Sequence, residues 1–331
     1  MHDFGYFRAP DTDTALAVLA TAPDARVIAG GTDMVNLLKE RIENPALLVD
    51  INRVGLCGIH ADTSGLHIGA LARMSAVLAD PAVRRSWPAV AQSLELSASP
   101  QLRNAATIGG NLMQRTRCPY FRSETPLPCN KREPGSGCSA AGGHSRTLAV
   151  FGWSESCRAT HPSDLAVALS ALDAKATVGS VAAERTIPLT AFHRLPGRIP
   201  ERDTALAADE LILSLHIPSP RPAERSGYLK VRDRASYEFA LVSVAVALEL
   251  GGRGGNTIQR VRIALGGVAA KPWRLYAAEE ALVGIELTPE AMRPAIDLSL
   301  ADAQPLNDNT FKIELAKRAV VRALVRTGDS A

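Results

Sequence analysis

Between Cys118 and about Arg158 the chain loses every hydrophobic period, and that interval limits the folds open to it. A helix needs apolar residues returning every three to four positions and a strand needs alternation. This stretch offers neither. It is built from Pro119, Pro126, Pro128, Pro134, Gly135, Gly137, Gly142 and Gly143, and it holds Cys118, Cys129, Cys138 and Cys157, four of the five cysteines. Irregular connections of this length are uncommon inside a compact domain and are usually functional or disordered. The remaining chain must therefore fold as regular layers on either side of an insertion. At 331 residues it has room for two or three domains of roughly 150 residues each. With 46% hydrophobic and 21% charged residues it reads as a folded globular protein. A formal charge of +3 with no run of Lys or Arg argues against a nucleic-acid binder. No window approaches the ~18 apolar residues of a membrane span, and Met1–Pro10 lacks the usual form of a signal peptide.

Ahead of the insertion, Asp11 to Thr14 supply caps for a helix through Leu16 and Leu19, which Pro23 closes. Val27-Ile28-Ala29 runs into Gly30-Gly31-Thr32-Asp33. A helical face of Met34, Leu37, Leu38 and Ile42 follows, then a strand at Leu47–Ile51. The first unit therefore reads helix, strand, glycine turn, helix, strand. Ser75–Leu96 reads as two helices broken near Trp87-Pro88, and Ala106–Ile108 is a second apolar run ending in Gly109-Gly110-Asn111. After the insertion, Pro162-Ser163-Asp164 caps a helix through Leu165, Leu169 and Leu172, and strands fall near Ala176–Val178 and Leu211–Ile217. Pro218–Arg225 is the best linker. Beyond it Val242, Val244, Val246, Leu248 and Leu250 alternate, a glycine-rich turn at Gly251–Asn256 follows, and Val261, Ile263 and Leu265 alternate back, as in an antiparallel hairpin. Three helical segments near Glu279–Val283, Pro289–Leu300 and Phe311–Arg326 finish the chain.

Two features carry chemistry. The first is the pair of glycine turns. Ile28–Asp33 is neither a G-x-G-x-x-G fingerprint nor a Walker A loop. Its glycines still let backbone N–H groups approach a phosphate without an intervening Cβ, with the positive end of a helix behind them. Asp33 could serve a ribose hydroxyl or cap the helix. Two such turns suit a long ligand with a pyrophosphate, although a plain strand-to-helix turn has the same pattern. The second feature is the cysteine set. Disulfides would need an oxidising compartment, zinc usually shows paired C-x₂₋₄-C knuckles, and a cluster of iron and sulfide is held by four thiolates at dispersed spacings. All three remain open on the residues alone. Gly135 and Gly137 would free backbone N–H groups for cluster sulfurs. Cys57 stands apart and reads as a small buried residue. His144 and His161 read as solvated loop residues, and no acid–base or nucleophilic constellation is visible, so no catalytic residue is named.

Together the glycine turns and the cysteine segment resemble the FAD-binding (medium) subunits of the xanthine dehydrogenase and molybdenum hydroxylase family, over nearly the whole chain. Arg117–Arg122 and Cys129–Cys138 look like the insertion of bacterial aldehyde oxidoreductase flavin subunits that carry an extra [4Fe–4S] cluster. The resemblance implies an α+β chain. Its parts would be a two-subdomain FAD-binding fold of the PCMH type, over residues 1–57 and 58–220 with the cluster insertion at 112–160, and a C-terminal α+β domain with an antiparallel sheet over 221–331. It implies FAD contacts at Ile28, Ala29, Gly30, Gly31, Thr32, Asp33 and Met34, then at Thr107, Gly110 and Asn111. Asp164 would serve the adenosine end, with weaker contacts from Ile212 and Lys230. Cys118, Cys129, Cys138 and Cys157 would hold the cluster.

The function implied is electron transfer. A molybdopterin-binding large subunit would oxidise the substrate, and a small subunit with two [2Fe–2S] centres would pass electrons to FAD here and on to an external acceptor. An aromatic acyl-CoA reductase type would run electrons inward instead, and a flavin-free, zinc-stapled docking protein is the rival from another class. The implied location is cytoplasmic, or periplasmic by co-export with a partner that carries a twin-arginine signal.

Overall fold

The computed structural model describes residues 1–330 and resolves them into three sheets that follow one another along the chain. The first contains β1 (Gly5–Arg8), β2 (Ala25–Ile28) and β3 (Leu47–Asp50), all parallel, in the order β1-β3-β2. Helices α1 (Thr12–Thr21) and α2 (Met34–Lys39) make the crossovers. Asp11 caps α1 by accepting from the Thr14 backbone N–H at 2.8 Å, and Leu16, Leu19, Val49 and Ile51 form the small core. Strand β1 is absent from the sequence reading. Its four residues are exposed or half-buried at the sheet edge, so no apolar alternation marks them.

The second sheet contains β4 (Ile59–Ala61), β5 (Gly65–Gly69), β6 (Lys175–Gly179), β7 (Glu184–Pro188) and β8 (Leu211–Pro218), antiparallel in the order β4-β5-β8-β6-β7. Between β5 and β6 the chain forms α3 (Met74–Ala79), α4 (Pro81–Ser86), α5 (Pro88–Glu95), α6 (Pro100–Ala105) and α7 (Ile108–Leu112), then the insertion and α8 (Asp164–Ala171). Ser75–Leu96 thus holds three helices rather than two. Pro81 and Pro88 each open a new helix, where a missing N–H costs nothing, and Asp80 caps the first of these through the N–H groups of Ala82 and Val83. The second glycine turn is correspondingly the start of α7 and does not end a strand.

After a single turn, α9 (Leu189–Phe192), the third sheet forms from β9 (Glu224–Val231), β10 (Val242–Gly251), β11 (Thr257–Gly266) and β12 (Trp273–Arg274) in the order β12-β11-β10-β9. The expected hairpin is there: Val244 faces Leu265, Val246 faces Ile263 and Leu248 faces Val261. A register shift after Glu249 ends the alternation, which is why Leu250 is only partly buried. Helices α10 (Tyr276–Leu282), α11 (Pro289–Ser299) and α12 (Phe311–Asp329) cover the apolar face. Helices α5 and α8 pack on strands of the third sheet and share one buried core with apolar residues of the second. The start of α8 is therefore a junction, and Asp164 stands on it.

Candidate functional site

At the first glycine loop, Gly30 packs on backbone. A Cβ there would lie 2.0 Å from the Ala105 carbonyl oxygen and 3.1 Å from Ala106 Cα. Gly31 has φ +71°, the left-handed region that glycine adopts without cost. None of the backbone N–H groups of Gly30, Gly31, Thr32 and Asp33 finds a partner among the described residues. Half-buried N–H groups in a row, beside a glycine with no room for a side chain, form a cradle for an anion. Asn52 and Arg73 hold the loop. The Asn52 amide donates to the Ala29 carbonyl at 2.8 Å and to Asp50 at 2.6 Å, and Arg73 donates to Asn52 at 3.0 Å and to the Ala105 carbonyl. The sequence reading missed Asn52, Arg73 and Asp50. Ile28 ends β2 and Met34 opens α2, so both frame the cradle.

The second turn continues from that contact. Thr107 caps α7, accepting from the Gly110 N–H at 3.1 Å, and a Cβ on Gly110 would crowd that hydroxyl at 2.8 Å. Asn111 accepts from the Ser163 hydroxyl at 2.6 Å, and the same hydroxyl caps α8 by accepting from the Ala166 N–H. The cap of α8 is thus Ser163, and Asp164 occupies the first helical position with its carboxylate buried. That carboxylate accepts from Lys230 at 2.8 Å, from the Tyr228 hydroxyl at 2.6 Å and from Ser97 at 3.0 Å. Burial, then the adjoining Asp164 charge, holds the Tyr228 phenol well above its usual pKa. Two residues proposed separately, Asp164 and Lys230, are therefore one buried ion pair. A seam runs from Gly30 through Ala105, Thr107 and Asn111 to Asp164 and Lys230. Ile212 is instead buried in the core of the second sheet.

Asp33 does not cap its helix. Its carboxylate accepts from the Arg115 backbone N–H at 2.9 Å and pairs with Arg117 at 2.7 Å and Arg122 at 2.9 Å. All three partners belong to the insertion, so the first loop is clamped to the cysteine segment. Arg117, Cys118, His161, Asp164 and Phe239 share the walls of a cleft of about 150 Å³.

The insertion contains only one turn of 3₁₀ helix, Ser139–Ala141, yet it is closely packed. Cys118, Cys129 and Cys157 are buried and Cys138 is half-buried; all four are free thiols. They line one chamber together with Phe121, Lys131 and Ala140. Asn130 shapes the hairpin between Cys129 and Cys138: its side-chain oxygen accepts from the N–H groups of Gly135 at 3.0 Å and Gly137 at 2.9 Å. Those N–H groups are thus engaged, contrary to the expectation that they face cluster sulfurs. Burial pushes the Cys118 thiol up to about 12 and raises that of Cys157. The buried Lys131 ammonium works against this at Cys157. It is itself fixed on the Asp203 carboxylate, which Arg115 also reaches at 2.9 Å. Burial would raise the pKa of Asp203, but Lys131 and Arg115 outweigh it and hold it below the ordinary value. No three His, Cys, Asp or Glu side chains among the described residues surround a single point closely enough to hold one metal ion.

Two further expectations change. Cys57 is exposed rather than buried. His144 is fully exposed as expected, whereas His161 is half-buried, its ring tilted against that of His193 with centres 4.0 Å apart. Burial, then the neighbouring imidazole, drives the His161 pKa well below the usual value, and burial lowers His193 to about 4. No helix among the described residues is long and apolar enough to cross a membrane.

A seam lined by two glycine turns, with a separate antiparallel sheet beyond it, is the arrangement to set beside known families. Residues 2–220 match the family described as the FAD binding domain in molybdopterin dehydrogenase, and residues 227–327 match the CO dehydrogenase flavoprotein C-terminal domain. The chain belongs to the FAD-binding, or medium, subunits of the molybdenum hydroxylase family and is an oxidoreductase subunit. Within that family it is 46% identical over 326 residues, 98% of each chain, to the aldehyde oxidoreductase FAD-binding subunit PaoB of Escherichia coli (strain K12). It is 27% identical to the carbon monoxide dehydrogenase medium chain of Hydrogenophaga pseudoflava, over 97% of this chain and 96% of that one. A solved structure of that carbon monoxide dehydrogenase, lacking the Mo-pyranopterin moiety, superposes with a TM-score of 0.76 at 26% identity, covering 98% of this chain and 97% of the other.

Proposed function

We propose that this chain is the flavin and iron–sulfur subunit of a molybdenum-dependent aldehyde oxidoreductase, receiving electrons from [2Fe–2S] centres of a partner and delivering them to an external acceptor. The observation that carries the reading is the seam. The unpartnered N–H groups of Gly30 to Asp33 receive a pyrophosphate, Ala29 and Met34 flank it, and Thr107, Gly110 and Asn111 fix the second wall. Asp164 and Lys230 stand at the adenosine end, and Ile212, buried in the second sheet, is the weaker contact. Bound FAD exchanges one electron at a time and releases one or two, while the protein supplies orientation and potential.

The substrate class rests on the likeness to the aldehyde oxidoreductase subunit of Escherichia coli. The partners, a molybdopterin-binding subunit and a small [2Fe–2S] subunit, rest on the same family relation. The [4Fe–4S] assignment rests on four thiols that line one chamber without forming disulfides. A zinc site usually shows paired C-x₂₋₄-C knuckles, which this segment lacks. Four irons spread their thiolates over a wider cage. Cys118, Cys129, Cys138 and Cys157 would hold that cage, with Lys131 as the neighbouring positive charge and Asp33 linking it to the flavin loop through Arg117 and Arg122.

The test is the intact complex supplied with an aldehyde and an artificial electron acceptor. Acceptor reduction that disappears on FAD removal and returns on reconstitution supports outward electron flow. Acceptor reduction unaffected by FAD removal overturns it.

A further inference from the structure

On the solvent face of the second sheet, three histidines stand in register. His60 on β4 pairs with His67 on β5, and His67 pairs with His216 on β8. Directly opposed residues on neighbouring strands share a face, with Cβ atoms about 5 Å apart. The His67 and His216 rings are 4.7 Å apart centre to centre, and those of His60 and His67 are 6.5 Å apart. None of the three is in the core, and nothing in the flavin or cysteine chemistry uses them.

Their Nε2 atoms all turn toward the tight loop between β4 and β5. The Asp62 Oδ2 atom lies 3.8 Å from His60 Nε2 and 3.5 Å from His67 Nε2. His67 Nε2 is also 3.0 Å from the Ser64 hydroxyl, and His216 Nε2 is 3.3 Å from the Ser64 carbonyl. The other carboxylate oxygen of Asp62, Oδ1, is committed to the turn, accepting from the backbone N–H of Ser64 at 2.7 Å and of Gly65 at 3.2 Å. Oδ2 is left facing the imidazoles. Gly65 has no side chain for a reason on the same spot: a Cβ there would lie 2.9 Å from His216 Nε2 and 2.1 Å from the Ile217 carbonyl oxygen. The Ser64 hydroxyl also donates to Oδ1, at 2.6 Å.

We propose that His60, His67, His216 and Asp62 form a binding site for one divalent transition-metal ion of the zinc, nickel and copper group. Neutral imidazole and one carboxylate are the donors those ions favour. Ligands 2.0–2.1 Å from a tetrahedral centre lie ~3.4 Å apart, close to the separations of Asp62 Oδ2 from the two imidazoles. As the rings stand they lie side by side and no three donors close on one point. Closure needs rotation of the exposed His60 ring and the half-exposed His67 ring, with Ser64 releasing His67. The bound ion would clip β4, β5 and β8 together at the edge of the FAD-binding region.

The test uses the untagged full-length chain with its FAD. Co²⁺ serves as the probe because thiolate ligation gives an intense near-ultraviolet charge-transfer band that imidazole and carboxylate ligation does not. Equilibrium dialysis against Zn²⁺ gives the stoichiometry. The expected result is one ion bound without the thiolate band, retained in Cys118→Ser, and raising the melting temperature of the protein. His67→Ala should weaken binding at least tenfold and abolish that rise, and His216→Asn should weaken it as well. Circular dichroism and FAD content should be unchanged in both variants. A Co²⁺ spectrum showing only thiolate bands, or binding by properly folded His67→Ala and His216→Asn as tight as that of the parent, overturns the proposal.

Discussion

Gly30→Ala tests the seam at its narrowest contact. The new methyl group would sit 2.0 Å from the Ala105 oxygen and 2.7 Å from its carbonyl carbon, both rigid backbone atoms. Relief needs a displacement of about 1 Å, because real Cβ contacts essentially never fall below 3.0 Å. The displacement has two routes. Moving Ala105 drags Thr107 and the α7 cap, and moving the loop pulls Ala29 from Asn52. Overpacking of this kind costs about 1–3 kcal/mol. If that cost falls on the bound conformation, FAD affinity drops about 5- to 150-fold, at 1.4 kcal/mol per decade. The assay is flavin content after dialysis against graded FAD, read beside thermal unfolding of the flavin-free protein. Gly55→Ala is a useful control, since its φ of +82° carries backbone strain but a Cβ there meets nothing within 4 Å. Gly30→Ala that keeps the parent's FAD affinity, with a melting temperature no lower than that of Gly55→Ala, would refute the role given to this contact.

Other perturbations separate the parts. Asp164→Asn leaves the Lys230 ammonium buried without its counter-charge, a loss of about 3–5 kcal/mol in urea unfolding; pairing it with Lys230→Met should recover much of that stability while FAD affinity stays low. Cys129→Ser should lower iron and acid-labile sulfide while FAD content stays within twofold, as measured on the purified chain. Lys312 is buried, donating to the carbonyls of Leu148 at 2.9 Å and Gly267 at 2.6 Å, and burial lowers its pKa to about 7. The unfolded chain, with an ordinary lysine, binds more protons than the folded one above that value, so this group makes stability rise with pH from about 7 toward 10.5. Lys312→Met should flatten the rise between pH 7 and 9 in chemical denaturation, and an unchanged slope would contradict the burial argument.

The layers were legible where burial imposes a period. The β10–β11 hairpin shows it in Val242 to Leu248, and the starts of α1 and α8 show it in Asp11 and Ser163. Strand β1 was not legible, because an exposed edge strand of four residues carries no alternation. The glycine loop was visible as a turn, but its supports were not. Asn52 and Arg73 act across 23 and 32 positions of sequence, on Ala29 and Ala105, and no local pattern announces such a partner. For the same reason Asp33 read as a ribose partner or a helix cap, although the arginines that claim it come from more than eighty residues away. Lys230 looked like an ordinary strand residue until the fold set Asp164 opposite it. His161 read as solvated because its neighbours in sequence are polar, whereas its neighbours in space are His193 and the cleft wall. In the insertion the cysteines were legible and the resemblance implied that they meet, although no local period in the segment shows it.

The proposed assignment places a flavin and a four-iron cluster on one chain. Purify the chain anaerobically and measure FAD, iron, acid-labile sulfide and zinc on the same sample. The expected composition is about one FAD with about four irons and four sulfides per chain, and no zinc in the cysteine chamber. A colourless chain holding zinc, with neither flavin nor labile sulfide, would contradict it.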